Sequence, residues 1–308
     1  MLSFYYSLIY NKFVGDNMEK YNVSFKKKFG QNFLKDNRIV KRIVDICDID
    51  NNSLVIEVGP GGAIMTKELA TRAKKVIAYE IDKDLENESA IKLNSYSNVD
   101  IIFKDFLVSD LKEDVSKYEY EKLFFVSNVP YYITTPIILK LMNSDLKFNK
   151  IVMMVQKEVG NRFSTAPGSR EYGSITVLLN YFYNIKKEIF VSKKEFIPVP
   201  KVDSVVVSFT EKEEKLPLKD FDYFEKLLKE AFQYKRKNIR NNLKKYNLEI
   251  VEKVLNRYNF DLNARAEMLS VETFVDLANE LYDSNCWLKE FKTVKLAVFI
   301  MLSLYIKW

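Results

Sequence analysis

Between residues 53 and 209 the sequence alternates short apolar runs with segments of helical periodicity. Five of the runs are rich in β-branched residues and are predicted as buried strands: Ser53–Val58, Lys75–Glu80, Val99–Phe103, Lys122–Ser127 and Ile151–Gln156. Three intervening segments are predicted as crossover helices: Ala63–Ala73, Asp84–Asn94 and Thr134–Met142. Strands and helices that alternate in this way predict an α/β fold with a mostly parallel, doubly wound sheet.

The sequence changes character after this alternating region. Lys186–Ser192 and Asp203–Thr210 are predicted as closing strands that form an antiparallel hairpin, and the charged stretch around Pro217 marks a domain boundary. From Phe221 to Tyr282 the pattern is helical throughout. We therefore predict an α/β domain over 26–212 and a small all-α domain over 220–282. The flanking segments are predicted to be an N-terminal extension outside the fold (1–25) and a tail of unassigned role (283–308).

The composition excludes several kinds of chemistry. The chain contains no histidine, which rules out His-based triads, His-metal sites and His general bases. Its two cysteines are too few for a disulfide framework or a four-cysteine zinc site, so we expect a reducing, cytoplasmic environment and no metal. The apolar run Leu296–Ile306 is shorter than the roughly 20 residues that cross a bilayer, so no membrane association is expected.

A glycine-rich turn, Glu57–Gly62, follows the first predicted strand. It departs from the dinucleotide-binding pattern, because Ile64 stands where a third glycine would be needed. Glu80 ends the second strand about 20 residues after Gly59, where a carboxylate accepts hydrogen bonds from ribose hydroxyls. Asp105 follows the third strand. The pattern favours an adenosine ligand without phosphates, namely S-adenosylmethionine; the alternative is a plain tight turn with two solvated carboxylates.

The fourth strand leads into an Asn-Val-Pro-Tyr turn that begins at Asn128. Methylation of an adenine amine requires acceptors on the two amine hydrogens, because the nitrogen lone pair is delocalised into the ring. The Asn128 amide oxygen supplies one acceptor, and a backbone carbonyl in the turn made rigid by Pro130 supplies the other. Tyr131 offers a face on which the base stacks. The alternative is an Asx turn with a buried tyrosine.

These residues belong to a set of ordered motifs between Lys26 and Leu281. The motifs are FGQNFL (29–34), EVGPGG (57–62), YEID (79–82), KDF (104–106), NVPYY (128–132), FIPVPKVDS (196–204), RKNIRNNL (236–243) and RAEMLS (265–270). Together they resemble the ribosomal RNA adenine N6-dimethyltransferases, specifically the KsgA/RsmA branch that acts on small-subunit RNA. The resemblance implies a Rossmann-like, S-adenosylmethionine-dependent methyltransferase domain followed by the all-α domain.

The resemblance also assigns site residues. It places Glu80 on the cofactor ribose and Asp105 near the adenine amine of the cofactor. The full set of implied cofactor contacts is Asn32, Leu34, Gly59, Glu80, Asp105 and Asn128. It further implies that Phe196 and Tyr131 sandwich the target adenine, although Phe196 beside two prolines would by itself be interpreted as a packing residue. Val129 departs from the Leu or Ile usual in the family, and the proposed role needs only its backbone carbonyl.

Positive charge is concentrated in two segments, Lys20–Arg42 and Lys226–Lys245. Each contains eight lysines and arginines against a single acid, in a chain whose net charge is only +6. Such clusters bind phosphates without sequence information, and the interleaved aromatics Phe25, Phe29, Phe232 and Tyr234 favour RNA over a merely solvated face. The candidate RNA-binding residues are Lys27, Lys28, Arg236, Lys237 and Arg240.

Within the segment Lys157–Tyr172, Pro167–Arg170 is predicted as a mobile surface loop beside the site, and the segment is expected to help seat the RNA. Arg162 and Arg170 are its candidate phosphate contacts, although a loop with no role is nearly as consistent with the sequence.

The resemblance implies N6,N6-dimethylation of two adjacent adenosines in the 3′-terminal hairpin of 16S ribosomal RNA, and a role in small-subunit biogenesis. The expected partner is the RNA of a pre-30S particle, and the expected state is a monomer. Two alternatives remain at this point. One is the Erm-type large-subunit methyltransferase group, which shares the cofactor motifs. The other is an assembly factor that binds RNA without turnover, against which the intact Asn128, Tyr131, Glu80 and Asp105 argue.

Overall fold

A computed structural model of the chain describes residues 33–284. The predicted site residues Lys27, Lys28 and Asn32 lie outside the described residues, as do the predicted extension 1–25 and nearly all of the tail. The chain divides into two compact units. Unit 1 consists of residues up to Gln156 together with Ile189–Val206.

Unit 2 consists of Lys157–Glu188 and the residues from Val207 onwards. It therefore includes residues 157–188, which the sequence analysis places in the α/β domain. The predicted domain limits, 26–212 and 220–282, remain predictions.

Nine strands form two sheets in the described part of the chain. The larger sheet has seven strands in the order β4-β3-β2-β5-β6-β9-β7, and β1 pairs with β8 in a two-stranded sheet. The strands are β1 (Phe33–Leu34), β2 (Ser53–Val58), β3 (Lys75–Glu80), β4 (Val99–Phe103), β5 (Lys122–Asn128), β6 (Lys150–Gln156), β7 (Tyr183–Val191), β8 (Phe196–Ile197) and β9 (Ser204–Glu211).

The predicted α/β fold with a doubly wound sheet is confirmed. Strands β2 to β6 pair in parallel, and all six residues of β2 are buried, as expected for a strand covered on both faces. The chain leaves β2 first toward β3 and β4 and later toward β5 and β6, so the winding reverses between β2 and β5. Ligands of such sheets bind beyond the carboxyl ends of the strands at this reversal. The predicted closing strands also form, as neighbours β7 and β9.

Five α-helices connect the strands of unit 1: α1 (Asn37–Val44), α2 (Ile64–Ala70), α3 (Glu86–Leu93), α4 (Leu111–Ser116) and α5 (Thr134–Met142). The sequence analysis did not predict α1 or α4, because each has only about two turns in which a period could be recognised. Local capping explains both. The side chain of Asp36 accepts a hydrogen bond at the start of α1, and that of Asp110 does so at the start of α4.

The described part of unit 2 contains α6 (Lys157–Ser164), α7 (Ser174–Phe182), α8 (Phe221–Ala231), α9 (Ile239–Asn242), α10 (Leu248–Arg257) and α11 over residues 271–284. Asp220 caps α8, whose buried residues recur at helical spacing: Phe224, Leu227, Leu228 and Ala231. From Phe221 to residue 284 the described chain contains only helices and turns, which agrees with the predicted all-α segment.

The first half of the segment Lys157–Tyr172 forms α6, which the sequence analysis did not predict, whereas Pro167–Arg170 lies outside the helix. An ion pair between Glu158 and Arg162, one turn apart, and the buried ring of Phe163 give this segment a solvent face and a core face. The second half is a loop, but it is anchored, since the ring of Tyr172 is buried. Within residues 33–284 no helix is long and apolar enough to cross a membrane.

Candidate active site

The carboxyl ends of β2 and β5 are tied together. The Ser127 hydroxyl donates to the Val58 carbonyl at 2.6 Å and accepts a longer bond, 3.4 Å, from the Val58 amide. One residue further on, Gly59 has φ of +74°, and a Cβ atom there would lie 3.6 Å from Cγ of Pro130. The glycine-rich turn and the Asn-Val-Pro-Tyr turn therefore lie side by side at the point where the sheet reverses its winding.

Glu80 lies at the carboxyl end of β3, the neighbour of β2, and is only 4% exposed. Its Oε2 accepts a long hydrogen bond from the Gly61 amide, 3.4 Å, and its Oε1 accepts one from the Asp82 amide, 3.0 Å. Burial raises the pKa of Glu80, and these backbone bonds offset part of the rise. A carboxylate has about four acceptor positions, so these backbone bonds leave acceptor capacity for a hydroxyl such as those of ribose.

Asp105 follows β4, the next strand along the sheet. Its Oδ1 accepts a hydrogen bond from the Leu107 amide at 2.8 Å, which starts a short 3-10 turn, Phe106–Val108. The Ser109 hydroxyl closes the same turn by donating to the Asp105 carbonyl at 2.9 Å. The second carboxylate oxygen, Oδ2, has no hydrogen-bond partner among residues 33–284 and remains available to a ligand.

The sequence analysis missed three residues near these carboxylates. Ile81 directly follows Glu80 and is 44% exposed; Val108 lies three residues after Asp105 and is 58% exposed. Exposed apolar side chains beside two acids suit the faces of a purine ring better than they suit water. Tyr132 is 55% exposed, and desolvation together with the nearby Asp105 and Glu80 carboxylates raises its pKa to about 12. An apolar residue directly after an acidic strand end could have indicated Ile81 from sequence.

The Asn-Val-Pro-Tyr turn is held in one conformation. Asn128 is the last residue of β5 and is half-buried, and the Val129 amide donates to the Met154 carbonyl of the neighbouring strand at 3.2 Å. The half-buried Tyr131 shares a 2.7 Å hydrogen bond with the hydroxyl of Ser204. The Asn128 amide and the Tyr131 ring therefore belong to the same short, fixed segment.

Within this turn the carbonyl groups differ in availability. The Pro130 carbonyl accepts from the Ile133 amide at 3.1 Å, and the Tyr131 carbonyl accepts from the Thr134 hydroxyl at 3.2 Å. Among the described residues the Val129 carbonyl has no such partner. It is thus the turn carbonyl that is available as a second acceptor beside Asn128.

Phe196 and Leu34 are buried and pair with each other across β1 and β8. Both belong to the apolar core of unit 1, and the Phe196 side chain is completely inaccessible. In this structure Phe196 therefore packs as its own sequence context indicated. Its predicted role as a second wall for the target base remains a prediction and requires the ring to become exposed.

Phe33, the partner of Ile197 in the same ribbon, packs on the glycine-rich turn. A Cβ atom at Gly61 would lie 2.6 Å from Cε1 of Phe33, so only glycine fits beneath the ring. Gly61 also has φ of +47°. The ring thus fixes the N-terminal segment that carries Leu34 to the turn that carries Gly59.

Comparison with known proteins identifies the family of this chain. A family model described as ribosomal RNA adenine dimethylase matches residues 22–283, most of the chain. The chain belongs to the ribosomal RNA adenine dimethylase family. A curated relative from Staphylococcus aureus, ribosomal RNA small subunit methyltransferase A, is 40% identical over 272 residues, which cover 85% of this chain and 92% of the relative. The recognition made from the sequence motifs, and the prediction of a methyltransferase that acts on ribosomal RNA adenine, are confirmed.

Two solved structures extend the comparison. A dimethyladenosine transferase from Plasmodium falciparum has 27% identity and a TM-score of 0.69, with 82% of this chain and 98% of that chain covered. The 23S rRNA methyltransferase ErmE has 27% identity and a TM-score of 0.64, with coverage of 81% and 99%. Both share the fold of this dimethylase family member.

In unit 2 of this dimethylase, the predicted RNA-binding residues Arg236, Lys237 and Arg240 are exposed. None of the three lies within 4.0 Å of a carboxylate oxygen in the described part of the chain, so their charges are not neutralised by ion pairs. The buried Asn242 fixes the backbone before them: its side-chain amide donates to the carbonyls of Ala231 at 2.7 Å and Tyr234 at 3.3 Å. These cations therefore extend from a rigid base.

The aromatic residues in this basic segment have different surroundings. Phe232 packs on the rings of Tyr172 and Phe274 and serves the core of unit 2, whereas Tyr234 is 58% exposed. The two other predicted phosphate contacts, Arg162 in α6 and Arg170 in the loop after it, also differ. Arg162 is held by Glu158, while Arg170 is exposed and its carbonyl accepts from Lys235 Nζ at 2.7 Å. Tyr234 is thus the aromatic side chain here that remains accessible to a base.

One buried acid lies beneath the glycine-rich turn. Glu57 is 2% exposed, and its Oε2 contacts no hydrogen-bond donor within the described residues. Burial raises the pKa of Glu57 to about 8, and the nearby Glu80 carboxylate contributes to the rise. Glu57 is therefore protonated at neutral pH and adds little negative charge beside Glu80. In the described part of the chain no group of three acidic or cysteine side chains could hold a metal ion.

Replacement of Gly61 by Ala should destabilise the protein more than replacement of Gly168 by Ala. Both glycines have positive φ, which costs alanine roughly 1 kcal/mol, but a Cβ at Gly168 meets nothing within 4 Å. The overlap with Phe33 should add about 1–3 kcal/mol to the loss at Gly61. Urea unfolding of the two variants measures the difference, and equal losses would show that the Phe33 ring does not constrain the turn.

The titration of Glu57 predicts a pH-dependent stability. Because the pKa in the folded state, about 8, lies above the ordinary value of 4.5, the folded state holds an extra proton between these values. Stability should therefore fall as pH rises from 5 to 8, by about 1 kcal/mol per pH unit relative to Glu57→Gln. Urea unfolding across this range tests it, with Glu119→Gln, at an exposed site, as the control. Parallel pH profiles for wild type and Glu57→Gln would contradict the assignment.

Proposed function

We propose that the protein transfers methyl groups from S-adenosylmethionine to the N6 atoms of two adjacent adenosines in the 3′-terminal hairpin of 16S ribosomal RNA. The observation that carries the proposal is the 2.6 Å hydrogen bond from the Ser127 hydroxyl to the Val58 carbonyl, which sets the Asn128 turn beside the glycine-rich turn. Glu80 and Asp105 end the next strands along the same edge of the sheet.

The residues at this edge fit S-adenosylmethionine. Glu80 keeps acceptor positions for ribose hydroxyls, and Asp105 keeps one carboxylate oxygen for the adenine amine. Ile81 and Val108 expose apolar surface for the purine. With two carboxylates at this edge, a pyrophosphate would meet like charge, whereas a cofactor without phosphates would not. Asn32 and Leu34 complete the proposed cofactor contacts.

The chain's own residues would prepare the target amine for transfer. The Asn128 amide oxygen and the Val129 carbonyl would each accept one N6 hydrogen, which pulls the nitrogen toward tetrahedral geometry and localises its lone pair. Tyr131 would stack on the base and hold it against these acceptors. When bound, the cofactor supplies a methyl group on an electrophilic sulfonium.

No strong base is needed in this scheme, which accords with a chain that contains no histidine. The amine becomes acidic only as the N–C bond forms, and its proton then passes to water. In the second transfer one of the two acceptors would hold the remaining hydrogen, since the monomethylated amine still carries one hydrogen and one lone pair.

The small-subunit substrate is favoured over the large-subunit alternative. The relative that is 40% identical carries the small-subunit name, whereas the ErmE structure is 27% identical. The motifs FIPVPKVDS (196–204) and RAEMLS (265–270) support the same choice. The target base must be unpaired or extruded to reach Asn128. We further propose that the protein acts as a monomer on a pre-30S particle in the cytoplasm.

The decisive experiment offers unmethylated 30S and 50S subunits to the protein with labelled S-adenosylmethionine and maps the modified base. Label should enter two adjacent adenosines of 16S RNA. Asn128→Ala should lower transfer by at least 100-fold, because one acceptor is lost, while RNA retention survives. Asn94→Ala, at an exposed asparagine, should leave transfer unchanged. Modification of 23S RNA would establish the alternative substrate, and an active Asn128→Ala would overturn the acceptor role.

The unpaired cations of unit 2 predict a change in salt dependence. We expect each of the single substitutions Arg236→Gln, Lys237→Gln and Arg240→Gln to reduce the slope of log affinity against log salt concentration. The expected reduction is about 0.7–0.9, the contribution of one phosphate contact. Filter binding to the 3′-terminal hairpin RNA at several salt concentrations measures this slope. Lys253→Gln, at an exposed lysine of α10, serves as the control. A slope unchanged in all three variants would remove this segment from the RNA interface.

A further inference from the structure

Lys140 of α5 makes contacts unlike those of a surface lysine. It is half-buried, and its Nζ donates to the carbonyls of Leu107 at 3.0 Å and Ser109 at 2.6 Å. The same nitrogen lies 5.7 Å from the centre of the Phe106 ring. Desolvation lowers the pKa of Lys140, while the Asp105 and Asp110 carboxylates oppose this effect. The ammonium group is thus enclosed by the short turn that follows β4.

That turn is the one that orients Asp105. Leu107, whose carbonyl accepts from Lys140, donates its amide to Asp105 Oδ1 at 2.8 Å. Ser109, the second acceptor, returns its hydroxyl to the Asp105 carbonyl at 2.9 Å. Lys140 therefore holds the two residues that fix the Asp105 backbone and side chain. The direction of the second carboxylate oxygen, Oδ2, depends on the geometry of this turn.

The position of Lys140 in the chain gives these contacts their significance. Helix α5 begins at Thr134, directly after the short 3-10 turn Tyr131–Ile133, and the Thr134 hydroxyl donates to the Tyr131 carbonyl. The segment that would hold the target base is therefore continuous with the helix that holds the Asp105 turn. No other lysine or arginine of the described residues bonds to Leu107 or Ser109.

We propose that Lys140 is a positioning residue that fixes Asp105 for recognition of the adenine 6-amino group of the cofactor. The proposal rests on the proposed function, in which Asp105 accepts from that amine. An ammonium with two carbonyl partners is replaced poorly by an apolar side chain, because both carbonyls then lose a charge-assisted donor. The Asp105 carboxylate then loses its fixed direction, and with it the ability to distinguish an amino group from a carbonyl oxygen.

The test compares binding of S-adenosylhomocysteine and S-inosylhomocysteine by calorimetry. The inosyl compound has a carbonyl oxygen in place of the 6-amino group, so it faces Asp105 with an acceptor. The wild type should prefer the adenosyl compound by at least tenfold. Lys140→Met should reduce this preference at least fivefold through weaker binding of the adenosyl compound. Lys140→Arg, which keeps the charge and several donors, should restore most of it.

Lys112→Met is the matched control, because the ion pair of Lys112 within residues 33–284 is with the exposed Asp145, at 2.8 Å, and this variant should keep the wild-type preference. Asp105→Asn gives the ratio of affinities for the adenosyl and inosyl compounds that is expected when the carboxylate is lost. Lys140→Gln replaces Lys140→Met if the latter does not fold, as judged by thermal melting.

If Lys140→Met, or Lys140→Gln in its place, keeps the wild-type preference for the adenosyl compound, the role of Lys140 is overturned and the proposed function stays intact. A wild type that binds neither compound would instead overturn the proposed function and the role of Lys140 with it. A preference lost equally in Lys112→Met would show a general loss of stability and would also overturn the proposal.

Discussion

The Ser127 hydroxyl and the close approach of Gly59 to Pro130 join the carboxyl ends of β2 and β5. The connections that follow these two parallel strands run in opposite directions, and in such sheets a crevice lies between the two turns. A side chain at Gly59 would need a backbone conformation that L-residues rarely adopt. The position of Asn128 relative to the other proposed contacts of the site depends on this pair of turns.

Three carboxyl groups, those of Glu57, Glu80 and Asp105, lie near these turns and are wholly or partly shielded from solvent. Glu57 is protonated at neutral pH, since burial raises its pKa to about 8, which spares Glu80 a neighbouring like charge. The Asp105 carboxylate accepts a hydrogen bond from the Leu107 amide, and the Leu107 carbonyl in turn accepts one from Lys140. Such an arrangement leaves acceptors directed at a ligand while limiting the repulsion among them. It suits a cationic, phosphate-free adenosine compound.

Substrate attraction and chemistry are assigned to different parts of the chain. In unit 2 the side chain of Asn242 fixes the backbone from which exposed, unpaired cations extend, and Tyr234 remains exposed beside them. A fixed backbone lowers the conformational entropy that this segment would lose when its cations meet phosphates. In unit 1 the acceptors of the Asn128 turn are uncharged and suit an amine. In the proposed function, affinity for the RNA backbone and selection of the reacting atom would therefore rest on different side chains.

The sequence by itself determined the α/β fold, the strand ends that carry Glu80, Asp105 and Asn128, and the family, because strand periodicity and motif order are local properties. Only the tertiary structure decided that Gly61 lies under Phe33, that the neighbouring Pro130 and Tyr131 carbonyls are already bonded, and that Lys140 bonds to the turn that orients Asp105. The first and third of these facts depend on contacts between residues far apart in the chain. Short helices such as α1 and α6 depend likewise on capping and packing that a brief polar sequence does not reveal.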